Sequence, residues 1–438
     1  MTVEPVTEGG EEAAVARTGL AVLARSSVGG LLAIAFLSRV TAAVLPITLL
    51  VGLAQTYGYG RAGIVNGSGT LVLALLVPLR GRVLDRFGHR RPLLLMAATA
   101  TTLMSLAAVS VGLRWPWWSP LLFVVAASMT SPPLNAALRS SWRTLVDGQK
   151  ELKTVHSADS VLEEAGFVVA PLAAGLAILV FGARHAYEVT VGCYVLVVIG
   201  YLVMARRWGL SRPATGAAPV PADRRSVRRR WLGPLAEPRM LMILLPLLVM
   251  GCVFGGMGVY TPAYTEHVDA VAWLGPLLAA ISVGGVVGGI AYGLVPWEAD
   301  LWHKFRLLVL GFALPACFLF AARSLWLLAA LLLCAGLFVT PLFINAFLLV
   351  DATVTDDVRN EANTWVGAST DIANGVIAML VGALVAGQHW QTTRLLLSGC
   401  AFAGVLLALL WRGPAQSPQS PGDREQLQES CPQERAGS

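Results

Sequence analysis

The sequence predicts an all-α polytopic membrane protein with 12 transmembrane helices in two pseudo-symmetric six-helix bundles. Three observations carry this. Hydrophobic residues make up 56% of the 438 residues and charged residues only 13%, about half the charged share of a soluble domain. Twelve apolar stretches are each long enough to cross roughly 30 Å of hydrocarbon. Basic residues gather on alternate loops. Buried helices of a large soluble protein are usually shorter than these stretches.

The spans fall at about 31–54, 60–79, 92–112, 118–138, 158–181, 187–206, 239–262, 271–294, 305–322, 324–347, 362–387 and 393–412. With both termini cytoplasmic, the four short inward loops hold 12 Lys and Arg, and the five outward loops hold 5, namely Arg61, Arg114, Arg184, Arg323 and Arg394. The positive-inside rule therefore puts both termini in the cytoplasm. The net charge of +6 has the same origin. It points to loop topology and anionic lipid, with the bilayer as a partner and no nucleic acid. Trp115, Trp117, Trp118, Trp208, Trp273, Trp297, Trp302, Trp326, Trp390 and Trp411 fall near span ends, where amphipathic rings favour the headgroup level. The first 30 residues, with Glu4, Glu8, Glu11 and Glu12, do not read as a secretory signal. Scarce lysine and abundant alanine suggest a GC-rich bacterial gene, and the expected location is a bacterial plasma membrane.

The expected domains are a cytoplasmic tail at 1–30, a six-helix bundle at 31–206, a cytoplasmic linker at 207–238, a second bundle at 239–412 and a disordered tail at 413–438. The linker holds Pro213, Pro219, Pro221 and the Arg228–Arg230 run, a composition that resists folding; a basic amphipathic surface segment is the rival reading. The halves echo each other. Ser131-Pro132 precedes Gly166 by the same interval as Thr340-Pro341 precedes Gly375, as in transporters built from internal repeats. Cys193, Cys252, Cys317, Cys334 and Cys400 lie inside spans. No cysteine pair suggests a disulfide and no Cys/His cluster suggests a metal site. No nucleotide-binding loop or nucleophile triad appears, so no cofactor and no enzyme activity is expected.

Between the second and third spans the chain reads Arg80-Gly81-Arg82-Val83-Leu84-Asp85-Arg86-Phe87-Gly88-His89-Arg90-Arg91-Pro92. Gly81, Asp85, Arg86, Gly88, Arg90 and Arg91, at this place in a twelve-span chain, resemble the loop motif of the major facilitator superfamily. The resemblance covers about residues 31–412. It implies a secondary transporter in which the two glycines allow a tight turn, Asp85 meets the positive start of the eleventh helix near Arg359–Asn363, and the arginines latch neighbouring helices. The bland reading is that the loop only satisfies the positive-inside rule. A degenerate copy is expected after Gly293, but Glu298, Asp300, His303, Lys304 and Arg306 do not keep the spacing.

The fifth span carries Gly166, Ala170, Pro171, Ala174 and Gly175. This is similar to the exporters' Gly-x-x-x-Gly-Pro-x-x-Gly-Gly, with alanine at two glycine positions, and it implies antiport and export. A generic small-residue packing face is the competing reading. The arginine that exporters carry inside the fourth span is missing, since Ser119–Leu138 holds no charge. That puts proton coupling by that route in doubt.

Ionisable groups inside the membrane are the remaining site candidates, each costing about 2.5–3.5 kcal/mol at a helix centre. Arg39 lies in the first span and Asp371 in the eleventh, with Asn374 one turn on; together they form the candidate substrate or proton site, in which Arg39 and Asp371 are expected to pair or alternate across the central cavity. Asp159 and Glu163, one turn apart in the fifth span beside Glu164, are either proton acids or a gate paired with Arg139 or Arg143. Asn66, Asn135, Asn345 and Asn363 read as interhelical hydrogen-bonding points. Tyr260 and Tyr264 line a route or anchor an interface. Gly284, Gly285, Gly288, Gly289 and Gly293 read as a packing stripe. The expected function is proton-coupled efflux of a small amphipathic organic compound by a monomer working by alternating access. An importer, a uniporter or a non-transporting sensor of the same fold are the alternatives.

Overall fold

A computed structural model describes residues 22–23, 25–76, 79–80, 90–132, 134, 138, 141–142, 145–146, 148–208, 237–295, 297, 299–322, 324–354 and 356–410. Gly81, Asp85, Arg86 and Gly88, the side chains of Arg90 and Arg91, Asn135, Arg139, Arg143, Glu298, the linker at 209–236 and both tails lie outside the described residues.

The described chain is helical, with thirteen main segments labelled by order, the tenth in two parts. They are α1 Ser26–Tyr57, α2 Tyr59–Leu75, α3 Arg90–Gly112, α4 Trp118–Thr130 and the run Gln149–Arg207. That run breaks at Gly182, whose φ of 75° lies in the left-handed region that glycine enters without a Cβ clash. It thus divides into α5 (149–181) and α6 (183–207). Packing proves the reversal. The start of α1 meets both arms, through Arg39 on Asp159 and Ile34 against Gly200, while Gly52 at its far end lies against Ala183. Then come α7 Pro238–His267, α8 Leu274–Leu294, α9 Leu301–Cys317, α10a Leu325–Gly336 with α10b Val339–Thr353, α11 Asp356–Ala386 and α12 Trp390–Leu410. Eight stretches, with α5–α6 as one and α10a–α10b as another, are long and apolar enough to span a bilayer. This is consistent with twelve crossings.

The helices depart from the sequence expectation at three spans. α4 stops at Thr130, not at 138, because extended Ser131 precedes Pro132-Pro133, and a residue before proline is pushed out of the α region. The tenth span is broken between Gly336 and Val339. The fifth helix begins nine residues early, at Gln149, so the acids at 159 and 163 sit inside it and not at its start.

Side chains pack as a membrane bundle does, with many apolar groups, Leu176, Leu196 and Leu410 among them, on the outside. Between the halves, the two tightest seams use glycine. In α2 and α11, a Cβ at Gly63 would lie 2.8 Å from the Ala378 carbonyl oxygen, one at Gly375 2.7 Å from that of Gly67, and one at Gly382 2.8 Å from that of Tyr59. Such backbone approach is open only to residues without a side chain. In α5 and α8, a Cβ at Gly175 would lie 2.8 Å from the Gly275 Cα. Both seams lie toward the end of the molecule away from the described termini, called here the far face. There Tyr59 donates a 2.6 Å hydrogen bond to Glu266 across the halves.

Candidate central cavity and buried ion pair

A cavity of about 410 Å³ lies on the terminal side of the α2–α11 seam. It falls within the range typical of small-molecule sites. α1 contributes Leu45, Pro46 and Leu49. α2 gives Asn66, Thr70 and Leu73, and α4 gives Ser128 and Ser131 at its break. Tyr187 and Tyr194 come from α6, Phe254 and Gly258 from α7, and Asp371 and Asn374 from α11. Both halves therefore wall it. Most of the wall is apolar, and Asp371 is its one charged residue among the described residues.

Asp371 reaches the cavity because α11 leans on α2 through Gly375 and on α7 through Gly251, where Thr370 donates to the Leu247 carbonyl. Those two glycine contacts fix the rotation of α11. The carboxyl is surrounded by protein yet accessible from inside the cavity. It has no hydrogen-bond or ion-pair partner among the described residues.

Arg39 is elsewhere. Its guanidinium clamps Asp159 with two parallel bonds, Nη1 to Oδ1 at 2.9 Å and Nη2 to Oδ2 at 3.0 Å, and Nη1 also donates to the Asp159 carbonyl at 3.0 Å. The Glu163 carboxylate stands 3.7 Å from Nη2. Arg39 and Asp159 are 6% and 2% exposed, Glu163 26%. The clasp joins α1 to α5 inside one half. Gly166, one turn from Glu163, packs beside the arginine stem, at ordinary contact distance: a Cβ there would lie 3.7 Å from the Arg39 Cβ. This corrects the expectation of an Arg39–Asp371 pair. Asp159 and Glu163 find their cation on α1, and the alternative partners Arg139 and Arg143 fall outside the described residues.

The fifth-helix motif shows two faces. Gly166, Ala170 and Ala174 pack on α1 around Val40, Ala43 and Val44. Pro171 and Gly175 face α8 at Gly275. In α8, Gly284 is pressed against the α10a backbone, Gly288 against the backbone of Leu337 in the break that follows it, and Gly285 and Gly289 against Thr340, while Gly293 meets nothing within 4 Å. Asn345 donates to the Tyr292 hydroxyl at 2.9 Å. Tyr260 and Tyr264 stack at 5.3 Å. Arg394 donates to the Tyr260 hydroxyl at 2.7 Å, so the rings are held by α12 and do not line the cavity. Arg80, next to the loop motif, donates to the Ser131 carbonyl at 3.2 Å and so ties the end of α2 to the break after α4.

Three features escaped sequence reasoning. Tyr187 and Tyr194 are seven residues apart, two turns on one face of α6, and that spacing was a usable signal. Gly60, Gly63 and Gly67 carry small-residue spacing too. The Tyr59–Glu266 bond has no signature, because it joins residues 207 positions apart.

The Major Facilitator Superfamily model matches residues 30–321. The multidrug efflux pump Tap of Mycolicibacterium fortuitum is 24% identical over 242 residues, which is 53% of this chain and 58% of the pump. The chain thus matches less than two thirds of that relative's length. Among solved structures, the nucleoside transporter NupG superimposes with a TM-score of 0.67 at 13% identity, covering 88% of this chain and all of that one. A bacterial homologue of the iron transporter ferroportin in its inward-facing state gives 0.67 at 13%, covering 88% and 98%. A bacterial homologue of the lysosomal transporter Spinster, inward-facing and unoccupied, gives 0.60 at 15%, covering 88% and 94%. At these identities the likeness is one of fold, while the family match spans two thirds of the sequence. The chain belongs to the Major Facilitator Superfamily.

Proposed function

We propose that this chain is a secondary active transporter that exports a small amphipathic organic compound in exchange for protons. The observation that carries the reading is the central cavity: walled by both halves, mostly apolar, and bearing one accessible carboxyl, Asp371, without a protein partner among the described residues. Repeat transporters bind cargo at such a midplane site. An intramembrane acid is by default a functional group, and here it is the candidate proton carrier, with Asn374 beside it. The efflux activity of the distant relative named above supports the direction.

With the termini cytoplasmic, as the basic loops favour, the glycine seams close the outer side and the cavity belongs to an inward-facing state. In this reading residues 31–206 and 239–412 rock as two bodies joined by the 207–238 linker, in a bacterial plasma membrane. Asp85 and the arginines of the 81–91 loop stabilise the opposite state. The small face of α5 serves the α1 and α8 seams; Gly175 marks where α5 parts from α8 when the outer side opens. The Arg39–Asp159 clasp is a fixed joint within one half, with Glu163 as its exchangeable second acid. The uncharged fourth span favours one further reading, uniport without protons.

Inverted vesicles loaded with dye under an imposed pH gradient test this. Gradient-driven uptake, reduced at least tenfold in Asp371→Asn, is the expected result. Uptake that ignores the gradient removes antiport and leaves the uniporter, and no uptake of any compound removes transport.

A further inference from the structure

We infer that the cavity is selective for monovalent organic cations, with Asp371 of α11 as the counter-charge and Tyr187 and Tyr194 of α6 as aromatic wall. The inference rests on the reading of this cavity as the cargo site and names its cargo class.

Charge balance is the argument. Asp371 is the charged residue of the cavity wall and has no ion-pair or hydrogen-bond partner among the described residues. The basic residue best placed by sequence to neutralise it, Arg39, is held by Asp159 at 2.9 Å, with Glu163 at 3.7 Å, and is not among the lining residues. A carboxylate so enclosed is compensated by a proton or by the cargo itself. An anionic cargo meets repulsion and a neutral one gains no offset. A cation gains both the carboxylate and the electron-rich rings of the two tyrosines.

The rest of the wall speaks against a divalent metal ion as cargo for this site. Hard cations need six or more oxygen ligands and softer ones need thiolate or imidazole. Besides one carboxylate, the cavity offers the amides of Asn66 and Asn374 and the hydroxyls of Thr70, Ser128, Ser131, Tyr187 and Tyr194, spread over several helices within a mainly apolar lining, with no second acid among the lining residues to balance a divalent charge. No group of three or more His, Cys, Asp or Glu gathers among the described residues. An organic cation with an apolar body fits both the charge and the lining. It would also bridge the halves, since the acid and the tyrosines come from opposite bundles.

Equilibrium binding to the purified full-length protein in nanodiscs, without any gradient, tests this with two probes of nearly equal shape and opposite charge, tetraphenylphosphonium and tetraphenylborate. The expected result is saturable tetraphenylphosphonium binding at least tenfold tighter than that of tetraphenylborate, weakened at least tenfold in Asp371→Asn and retained in Asp371→Glu. Equal affinity for the two probes, or cation binding indifferent to Asp371→Asn, overturns the inference. Should Asp371→Asn not fold, the comparison of probes on the unmodified chain, and on Asp371→Glu, still decides. Because no gradient is applied, a failure of antiport in vesicles leaves this result standing. Gradient-driven export with no preference for cations sinks the cargo class alone.

Discussion

Arg39 and Asp371 show how differently two membrane-buried charges are used. The arginine's charge is matched through both terminal nitrogens, by two bonds of 2.9 and 3.0 Å to a carboxylate that is 2% exposed. The aspartate is matched by nothing in the described protein. Removing one partner of a buried ion pair strands the other charge and costs about 3–5 kcal/mol. Asp159→Ala is therefore expected to lower the melting temperature of the purified protein sharply. Glu163→Ala, at 3.7 Å and 26% exposure, is expected to cost under about 1 kcal/mol. Thermal unfolding in detergent, monitored by tryptophan fluorescence, separates the two; equal shifts would contradict the assigned pairing. That these residues matter was legible from their type and depth. Their pairing was not, because it depends on the rotation of α1 against α5, which Gly166, Ala170 and Ala174 set by packing across the chain.

At the scale of elements, the two glycine seams carry the conformational argument. Adding a side chain where backbones touch overpacks the contact by about 1–3 kcal/mol. In a two-state bundle that penalty falls on the closed state alone. Gly275→Leu in α8 is thus expected to shift the protein toward an open far face, read as faster labelling of a cysteine placed at Ala386. Gly293→Leu on the same helix, where no atom lies within 4 Å, is expected to leave the labelling rate unchanged. Tyr59→Phe removes the hydrogen bond to Glu266 and is expected to raise the same labelling rate by a smaller factor, about 2–10-fold for a bond of roughly 0.5–1.5 kcal/mol. The elements themselves were readable from apolar length to within a few residues. The misses, at α4, at the start of α5 and inside the tenth span, arose where local backbone chemistry overrode hydropathy: prolines after Thr130, and a break after Gly336 in a stretch that is apolar throughout.

For the whole molecule, the fold followed from composition, span length and the asymmetry of basic residues, none of which requires contact information. The cavity did not, because its wall draws scattered side chains from seven helices, and apolar walls look alike in sequence. In the proposed transport cycle the halves are two bodies whose far-face seam opens as the cavity's access changes side. The most direct test is the distance between spin labels at Arg61→Cys on α2 and Ala386→Cys on α11, measured by pulsed electron paramagnetic resonance in nanodiscs across pH and with an exported compound present. Alternating access predicts a short distance matching the closed seam, and a second, longer population that grows under some of these conditions and dominates in Gly275→Leu. A single short distance under every condition, in that variant as well, would contradict it.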